Sequence, residues 1–369
     1  MKKILITLRD ITETGGGERV CANLSNALSD SYEIKIVSFH KKEDYITYSL
    51  NPNISVEFLS KGAQRSSNLF KRFLNKTIIR VFLSLKASSL IKRYKPDIVF
   101  CNDGTFMPIV KTKGIKYMRL WHLNAPKKKK KVFGRYDSLV VLSEKQIDVW
   151  RQYHRNIKVI PNFLVEMPDK ITDYTQKTVI SAGRIDNGDQ KGFFRLVDIW
   201  KIVQDDKSFA DWKLRIVGSG PQKEVLEEKI RQLNIADSIE IKPFTSKIEE
   251  EYMQASIYAM TSKFEGFGMV LVESAAYGLP AVAFDINAGP SDIISDGESG
   301  FLVPDNDLET FAEKLKTLMR DEDLRQRFGI KSKEIVSSRF SKERIIEQWK
   351  SVFNYCCPLK KEPSFRKAK

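Results

Sequence analysis

Two glutamates, Glu265 and Glu273, stand in the run Ser262-Lys263-Phe264-Glu265-Gly266-Phe267-Gly268-Met269-Val270-Leu271-Val272-Glu273. A strand pattern, Ile257–Thr261, ends just before this run, and a helix pattern starts near Gly268. Glu265 therefore lies in a loop, and Glu273 about one and a half turns into the helix. A helix N-terminus offers free N–H groups to a phosphate. Carboxylates beside such a site suit hydroxyls, because a carboxylate accepts hydrogen bonds from a ribose or a hexose. The plain alternative is a solvated helix end. Against it, Glu273 stands among Val270, Leu271, Val272, Ala275 and Ala276, and an acid in apolar company needs a partner.

Cations of the right kind occur earlier. Ala182-Gly183-Arg184-Ile185 ends one strand pattern, and Lys191-Gly192 follows. An arginine binds a diphosphate bidentately and a lysine binds it as a point charge; solvated loop charges are the alternative. Three further turns have chemistry-compatible glycines. Thr14-Gly15-Gly16-Gly17-Glu18 opens a helix after the first strand, where backbone N–H groups can meet an anion. It is not G-x-G-x-x-G and no acid follows the second strand, which argues against a dinucleotide; an unliganded tight turn is the other reading. Ile216-Val217-Gly218-Ser219-Gly220-Pro221 places a proline at a helix start, near a nucleotide or as a plain turn. Asn287-Ala288-Gly289-Pro290-Ser291-Asp292 leads into a short helix that Ser291 could cap.

His122 ends the strand pattern Lys116–His122, so it should point out of the sheet toward a ligand; an ordinary strand-end histidine is the alternative. His40 and His154 have no motif around them and read as structural. Asp305-Asn306-Asp307 spells a D-x-D, a pattern that can hold a metal, but it precedes a helix pattern. Capping by Asp307 is the better reading.

These residues need elements to position them. Lys3–Leu8, Tyr32–Phe39, Ile54–Leu59, Asp97–Asn102, Lys116–His122, Ser138–Ser143 and Ile157–Pro161 read as buried strands, with helical stretches such as Gly16–Ser29 and Gln64–Lys95 between them. Residues 166–177 are polar and aperiodic and read as an interdomain linker. The alternation restarts with Thr178–Gly183, Trp212–Gly218, Ile239–Phe244, Ile257–Thr261 and Pro280–Phe284, and residues 307–356 read as helical. Strands alternating with helices mean parallel βαβ units. A chain of 369 residues exceeds one ordinary core. The expectation is α/β, with two Rossmann-like domains, 1–165 and 166–340. Ligands in such sheets bind outside the carboxyl ends of the strands, in the turns that hold the residues above.

Composition narrows the class. Hydrophobic residues make up 42% and charged residues 30%, as in a soluble globular protein. Cys21, Cys101, Cys356 and Cys357 form no C-x-x-C pair, which fits a reduced, cytosolic setting. Met1-Lys2-Lys3 precedes an apolar run, Ile4 to Leu8, too short for a signal-peptide core, and no run reaches membrane-spanning length. The net charge is +15; residues 1–165 hold 31 Lys+Arg against 13 Asp+Glu, and the remainder 31 against 34. The basic half should therefore face an anionic partner. Residues 61–95 are cationic and apolar together, as in a membrane-surface helix, and Lys127–Lys131 adds a basic loop. A core-packed helix with a basic solvated face is the alternative.

Together these residues resemble the retaining GT-B glycosyltransferases of family 4, the bacterial group that builds lipopolysaccharide, capsule and glycan chains. The resemblance spans nearly the whole chain and is densest from Val179 to Asp307. Glu265 and Glu273 match the family's E-x7-E motif; Gly183-Arg184 with Lys191-Gly192 resembles its phosphate-binding pair. Val217 to Pro221, Gly278-Leu279-Pro280, Gly300-Phe301-Leu302-Val303 and Gly15 to Glu18 resemble its other fixed points.

The resemblance implies the GT-B fold, with two domains facing across a cleft and a C-terminal helix, about 341–369, crossing back to the N-terminal, acceptor-side domain. It implies that Arg184 and Lys191 hold the donor diphosphate, that Glu265 binds sugar hydroxyls, and that Glu273 binds the ribose. Backbone at Phe267, Gly268, Met269 and Leu271 would meet the sugar and distal phosphate. Gly218 and Phe244 would lie near the nucleoside. Gly15, Gly16 and Gly17 would approach from the other domain, with His122 on the donor sugar. The implied reaction is retaining transfer of a hexose or N-acetylhexosamine from a nucleotide sugar, UDP-linked by the likeness of Gly289 to Ile294. The implied acceptor is a glycan or a lipid-linked glycan at the inner face of the cell membrane. No cofactor, metal or nucleic acid is implied. A nucleotide-sugar epimerase would want more acid/base residues than three histidines supply, and a nucleic-acid-binding protein would need a binding module that is absent.

Overall fold

Short apolar runs become parallel strands because they bury both faces. The computed structural model describes residues 1–61, 78–123, 125–126 and 131–356. The segments 62–77, 124, 127–130 and 357–369, and with them most of the basic stretch from 61, most of Lys127–Lys131 and Cys357, lie outside the described residues. The chain divides into two compact units. One gathers Met1–Val141, Ile147–Ile160 and the segment from Glu343; the other gathers Leu142–Gln146 and Pro161–Lys342.

The first unit runs β1 (Lys2–Leu8), α1 (Gly16–Leu28), β2 (Tyr32–Ser38), β3 (Ser55–Phe58), α2 (Arg80–Tyr94), β4 (Ile98–Cys101), β5 (Lys116–Leu120), β6 (Ser138–Val141), α3 (Ile147–Arg151) and β7 (Ile157–Val159). All seven strands are parallel, in the order β3-β2-β1-β4-β5-β6-β7. Leu5, Val37, Val99, Tyr117, Leu139 and Trp150 share one core on a face of this sheet.

The second unit runs β8 (Thr178–Ala182), α4 (Phe193–Asp205), β9 (Lys213–Val217), α5 (Lys223–Gln232), β10 (Ile239–Lys242), α6 (Ile248–Tyr252), β11 (Ile257–Met260), α7 (Met269–Ala276), β12 (Ala281–Asp285), α8 (Pro290–Ile293), β13 (Gly300–Pro304), α9 (Leu308–Arg320) and α10 (Glu322–Phe340). Its strands are also parallel, in the order β10-β9-β8-β11-β12-β13. The last helix, α11 (Lys342–Cys356), belongs to the first unit. Trp349 meets Phe100 edge-on at 5.1 Å, and Phe353 meets Tyr32 at 5.7 Å. The expected return of the C-terminal helix to the N-terminal unit is therefore present.

Four local expectations change. Residues 166–177, read as a linker, are tied to the second unit. Arg325, itself buried, donates from Nε and Nη2 to the Tyr174 carbonyl at 3.0 and 2.7 Å, and Thr172 N–H donates to the Tyr277 carbonyl at 2.8 Å. Aperiodic sequence looked like slack chain, but its carbonyls are satisfied by a distant helix. The run from Gly300, given above only as a fixed point of the resemblance and absent from the strand patterns, is a full strand paired with β12. Pro221 precedes α5 by two residues and stays in the turn. β5 ends at Leu120, so His122 lies beyond the strand, although Trp121 N–H still donates to the Val140 carbonyl at 2.9 Å.

Candidate active site

In each sheet the strand order reverses once, between β1 and β4 and between β8 and β11. Chain connections leave such a switch point toward opposite faces and open a crevice at the carboxyl ends of the two strands. In the second unit the turns leaving β8 and β11 are those that carry Arg184, Lys191 and Glu265.

Lys191 and Glu265 meet. The Lys191 ammonium donates to Glu265 Oε1 at 2.7 Å, and the Ser262 hydroxyl donates to the same oxygen at 2.7 Å. Glu265 is only 7% exposed, and a carboxylate buried to that extent needs partners such as this cation and hydroxyl. Its other oxygen, Oε2, accepts no hydrogen bond among the described residues. The lysine stem reaches the pair by lying across Gly183, where a Cβ would sit 2.7 Å from Lys191 Cγ and 2.8 Å from Cε. Gly192, at φ 68°, presses against the Thr261 carbonyl, and a side chain there would collide with it. Thr261 Oγ1 donates to the carbonyls of Lys191 and Gly192 at 3.1 and 3.0 Å, and Lys263 N–H donates to the Gln190 carbonyl at 2.8 Å. The two turns are thereby stitched together.

Arg184 is exposed and makes no side-chain hydrogen bond or ion pair among the described residues. Gly218 and Gly220 pack on the Gly183 and Ile185 carbonyls, where any Cβ would collide. Ser219 Oγ accepts from the Phe244 N–H at 3.0 Å, and the Phe244 ring is 75% exposed beside this turn. Gly268, at φ 93°, starts α7 without a side-chain cap, which leaves first-turn N–H groups open. Phe267 is buried edge-on against Phe340 at 5.2 Å. The Leu271 side chain is buried too, and its N–H is committed to the Gly268 carbonyl at 2.9 Å. Met269 and Glu273 are half-buried. The Tyr258 phenol, which receives the Ala182 N–H at 3.3 Å, is pushed up by burial first and then by the charges of Glu265 and Glu273. Both glutamates thus bear on the ends of β8 and β11.

The first unit has its own cluster at the β1–β4 switch. Asn102, just past β4, donates from Nδ2 to the Gly17 carbonyl at 2.9 Å, and its Oδ1 lies 3.3 Å from His122 Nε2. Asn102 therefore joins two features singled out separately, the Gly15–Gly17 turn and His122. Burial holds the His122 imidazole below its ordinary range, opposed by Asp103. Glu18 curls its carboxylate over Gly15. Burial raises its pKa, and Arg9 lies 4.0 Å away, itself paired with Glu13. Thus the turn expected to receive an anion carries an acid of its own with a cation beside it.

Other candidates resolve simply. His154 is tied to backbone, with Nδ1 accepting the Asn156 N–H at 3.1 Å and Nε2 3.1 Å from the Tyr136 carbonyl oxygen, and His40 is buried. Asp307 caps α9, accepting the Thr310 N–H at 3.1 Å. Asp305 pairs with Arg195 at 2.8 Å. Among the described residues no group of three or more His, Cys, Asp or Glu is arranged around a common metal position. Ser291 does not cap α8; Gly289 is the cap residue, its N–H donates to Asp292 Oδ2 at 3.2 Å, and Ser291 Oγ is buried with no hydrogen-bond partner among the described residues. With proline at the first helical position, the helix starts two residues earlier than a Ser291 cap would require. Asn102, Ser262 and Arg195 had no assigned role in the sequence reading. A polar residue at a strand's carboxyl end flags Asn102, whereas nothing local flags Arg195.

Comparison with known proteins agrees with this layout. Residues 166–335 match the family described as Glycosyl transferases group 1, and residues 14–164 match Glycosyltransferase Family 4. The amylovoran biosynthesis glycosyltransferase AmsD of Erwinia amylovora is 31% identical, over 96% of this chain and 100% of its own length. An uncharacterized glycosyltransferase of Haemophilus influenzae is 28% identical over 95% of this chain and 100% of its own. In fold the chain is similar to S. aureus TarM, solved with fondaparinux, alpha-GlcNAc-glycerol and UDP. The TM-score is 0.80 at 19% identity, covering 96% of this chain and 100% of that one. Two doubly wound parallel sheets, a returning last helix and a full-length relative above 30% identity lead to one assignment: this chain belongs to glycosyltransferase family 4 and has the GT-B fold.

Proposed function

We propose that this glycosyltransferase moves a hexose or N-acetylhexosamine, with retention, from a nucleotide sugar to a glycan or lipid-linked acceptor in cell-surface polysaccharide synthesis, and that the nucleotide is UDP. The observation that carries the reading is the Lys191–Glu265 pair, held at 2.7 Å in the turns that also carry Arg184, which has no side-chain partner among the described residues. A diphosphate arriving there meets two cations, and a sugar hydroxyl meets an oriented carboxylate with one oxygen uncommitted. The polysaccharide setting is supported by the name of the amylovoran relative, and UDP by the ligand of TarM.

In this reading Arg184 and Lys191 hold the diphosphate and take up the charge that develops on it. Glu265 orients the sugar hydroxyls. Glu273 receives the ribose hydroxyls, and Phe244 offers its exposed ring to the base. His122, Gly16 and Asn102 serve the sugar and acceptor side. The bond from the anomeric carbon to the phosphate oxygen breaks, and its electron pair leaves with the nucleoside diphosphate. The acceptor oxygen bonds the same face of that carbon, and its proton passes to the departing phosphate oxygen. Catalysis is then positional and electrostatic, and no metal or other cofactor is needed.

Anionic lipid is the proposed partner of the basic unit, with the enzyme peripheral at the inner face of the membrane. Ile78, just before α2, and Val81, Phe82 and Leu85 in its first turns lie at helical spacing, and Phe82 is 64% exposed; Lys86, Lys92 and Arg93 follow on the exposed side. Among the described residues no helix is long and apolar enough to cross a membrane. The deciding experiment is a thermal-shift screen against UDP, GDP and ADP sugars, followed by determination of the product's anomeric configuration. A bound donor stabilises the fold by mass action. No stabilisation by any of these donors, or an inverted product, would end the reading.

A further inference from the structure

We propose that Arg195 and Asp305 form a clamp that positions the turn carrying Ser262 and Glu265. The functional half of this inference rests on the donor-site reading above. Arg195 stands in the first turn of α4, one turn after Lys191, and is 8% exposed. A buried guanidinium must place its donors, or the desolvation it suffers goes uncompensated. Arg195 places them with little slack. Nε donates to the Thr261 carbonyl at 2.7 Å, Nη2 to the Ser262 carbonyl at 2.7 Å, and Nη1 to Asp305 Oδ1 at 2.8 Å. The guanidinium carbon lies 4.2 Å from the centre of the Phe284 ring.

Thr261 and Ser262 are the two residues just past the end of β11. Their carbonyls have left the ladder, and buried backbone acceptors need replacement donors. The planar fork of one arginine reaches both; the point charge of a lysine cannot do so with the same geometry. Ser262, fixed by its carbonyl, donates through its hydroxyl to Glu265 Oε1, the oxygen that Lys191 holds. A continuous chain of contacts therefore runs from Asp305, past the end of β13, through Arg195 and the Thr261–Ser262 carbonyls, to Glu265 and Lys191. It also gives the D-x-D run two separate duties, with Asp305 orienting the clamp and Asp307 capping α9. Arg195 makes no side-chain hydrogen bond or ion pair with Lys191 or Glu265, so it acts as a positioning residue.

The test compares Arg195→Lys, Asp305→Asn and Glu265→Gln in the full chain, by amide hydrogen exchange and by UDP-sugar turnover. In Arg195→Lys, exchange over residues 261–268 should rise about tenfold while peptides from β8 and α9 keep their wild-type rates, since local opening reports local anchoring. Asp305→Asn should give a smaller rise in the same segment, and it decides the matter if Arg195→Lys does not fold. Affinity for UDP alone should fall less than turnover number in both, because the Gly218–Gly220 and Phe244 turns on the nucleoside side are untouched. Unchanged exchange over 261–268, or a rise spread evenly through the second unit, would overturn the clamp. Glu265→Gln separates the two claims: it should depress turnover and leave exchange over 261–264 unaltered. Full turnover in that variant would remove the donor-site reading while leaving the clamp standing.

Discussion

Glu265 Oε1 accepts from an ammonium and a hydroxyl at once, and this double hold combined with burial sets it apart from the exposed carboxylates of the chain. Surface pairs contribute little and rearrange freely, whereas a carboxylate this buried is fixed by its partners. Lys191→Ala should lower kcat/KM about 10²- to 10³-fold, the usual loss when one preorganised charge-stabilising donor is removed, with the circular dichroism spectrum unchanged. Turnover within about twofold of wild type in the folded variant would be incompatible with the assignment. These residues were legible because acid, cation and glycine recur at strand-to-helix turns in family order. Asn102 and Arg195 were not legible, since their meaning lies in contacts with Gly17, His122, Thr261 and Ser262 that no local pattern encodes. His40 and His122 supply a pH-dependent counterpart. Burial lowers both imidazoles from their ordinary 6.5, so the unfolded chain binds protons more readily. Stability is then full above that ordinary value and falls as pH drops through it. Urea titrations at pH values on either side should show lower stability on the acid side, with a smaller difference in His122→Gln; an unchanged difference would assign the effect to other groups.

Helices and strands were mostly legible from period, and the turns between them were legible from glycine. What local sequence could not give was which turns touch. Gly192 illustrates the gap. In sequence it is only the glycine after Lys191, but its φ of 68° and its packing on the Thr261 carbonyl show that it lets the β8 and β11 turns close on each other. Gly192→Ala adds left-handed strain and a backbone collision, and should cost about 2–4 kcal/mol of stability. Urea unfolding followed by tryptophan fluorescence reads this directly, and a cost below about 0.5 kcal/mol would mean that the turn relaxes freely. The misread segments failed for related reasons. The run from Gly300 became a strand because β12 was there to pair with it. Residues 166–177 became an anchored strap because Arg325 reached back to them from α10.

Across the whole molecule, the charge imbalance was the plainest signal in the sequence and the least specific. An excess of cations in one unit attracts any polyanion, and the attraction weakens with salt. The structure adds a hydrophobic term in the same unit, in exposed Ile78 just before α2 and in Val81, Phe82 and Leu85 in its first turns. Charge alone would predict binding that salt abolishes and that polar substitution of Phe82 leaves intact. Charge with apolar insertion predicts two separable losses, because each buried methylene adds about 0.8 kcal/mol independently of salt. Wild-type protein should therefore co-sediment with phosphatidylglycerol-containing vesicles at low salt and only partly dissociate at physiological ionic strength. Phe82→Ser combined with Ile78→Ser should lose the salt-resistant fraction and keep the salt-sensitive one. Retention of the salt-resistant fraction in the double variant would place the contact elsewhere on the basic unit. Absence of any vesicle binding at low salt would remove the membrane proposal while leaving the donor site, which stands on contacts within the other unit, unaffected.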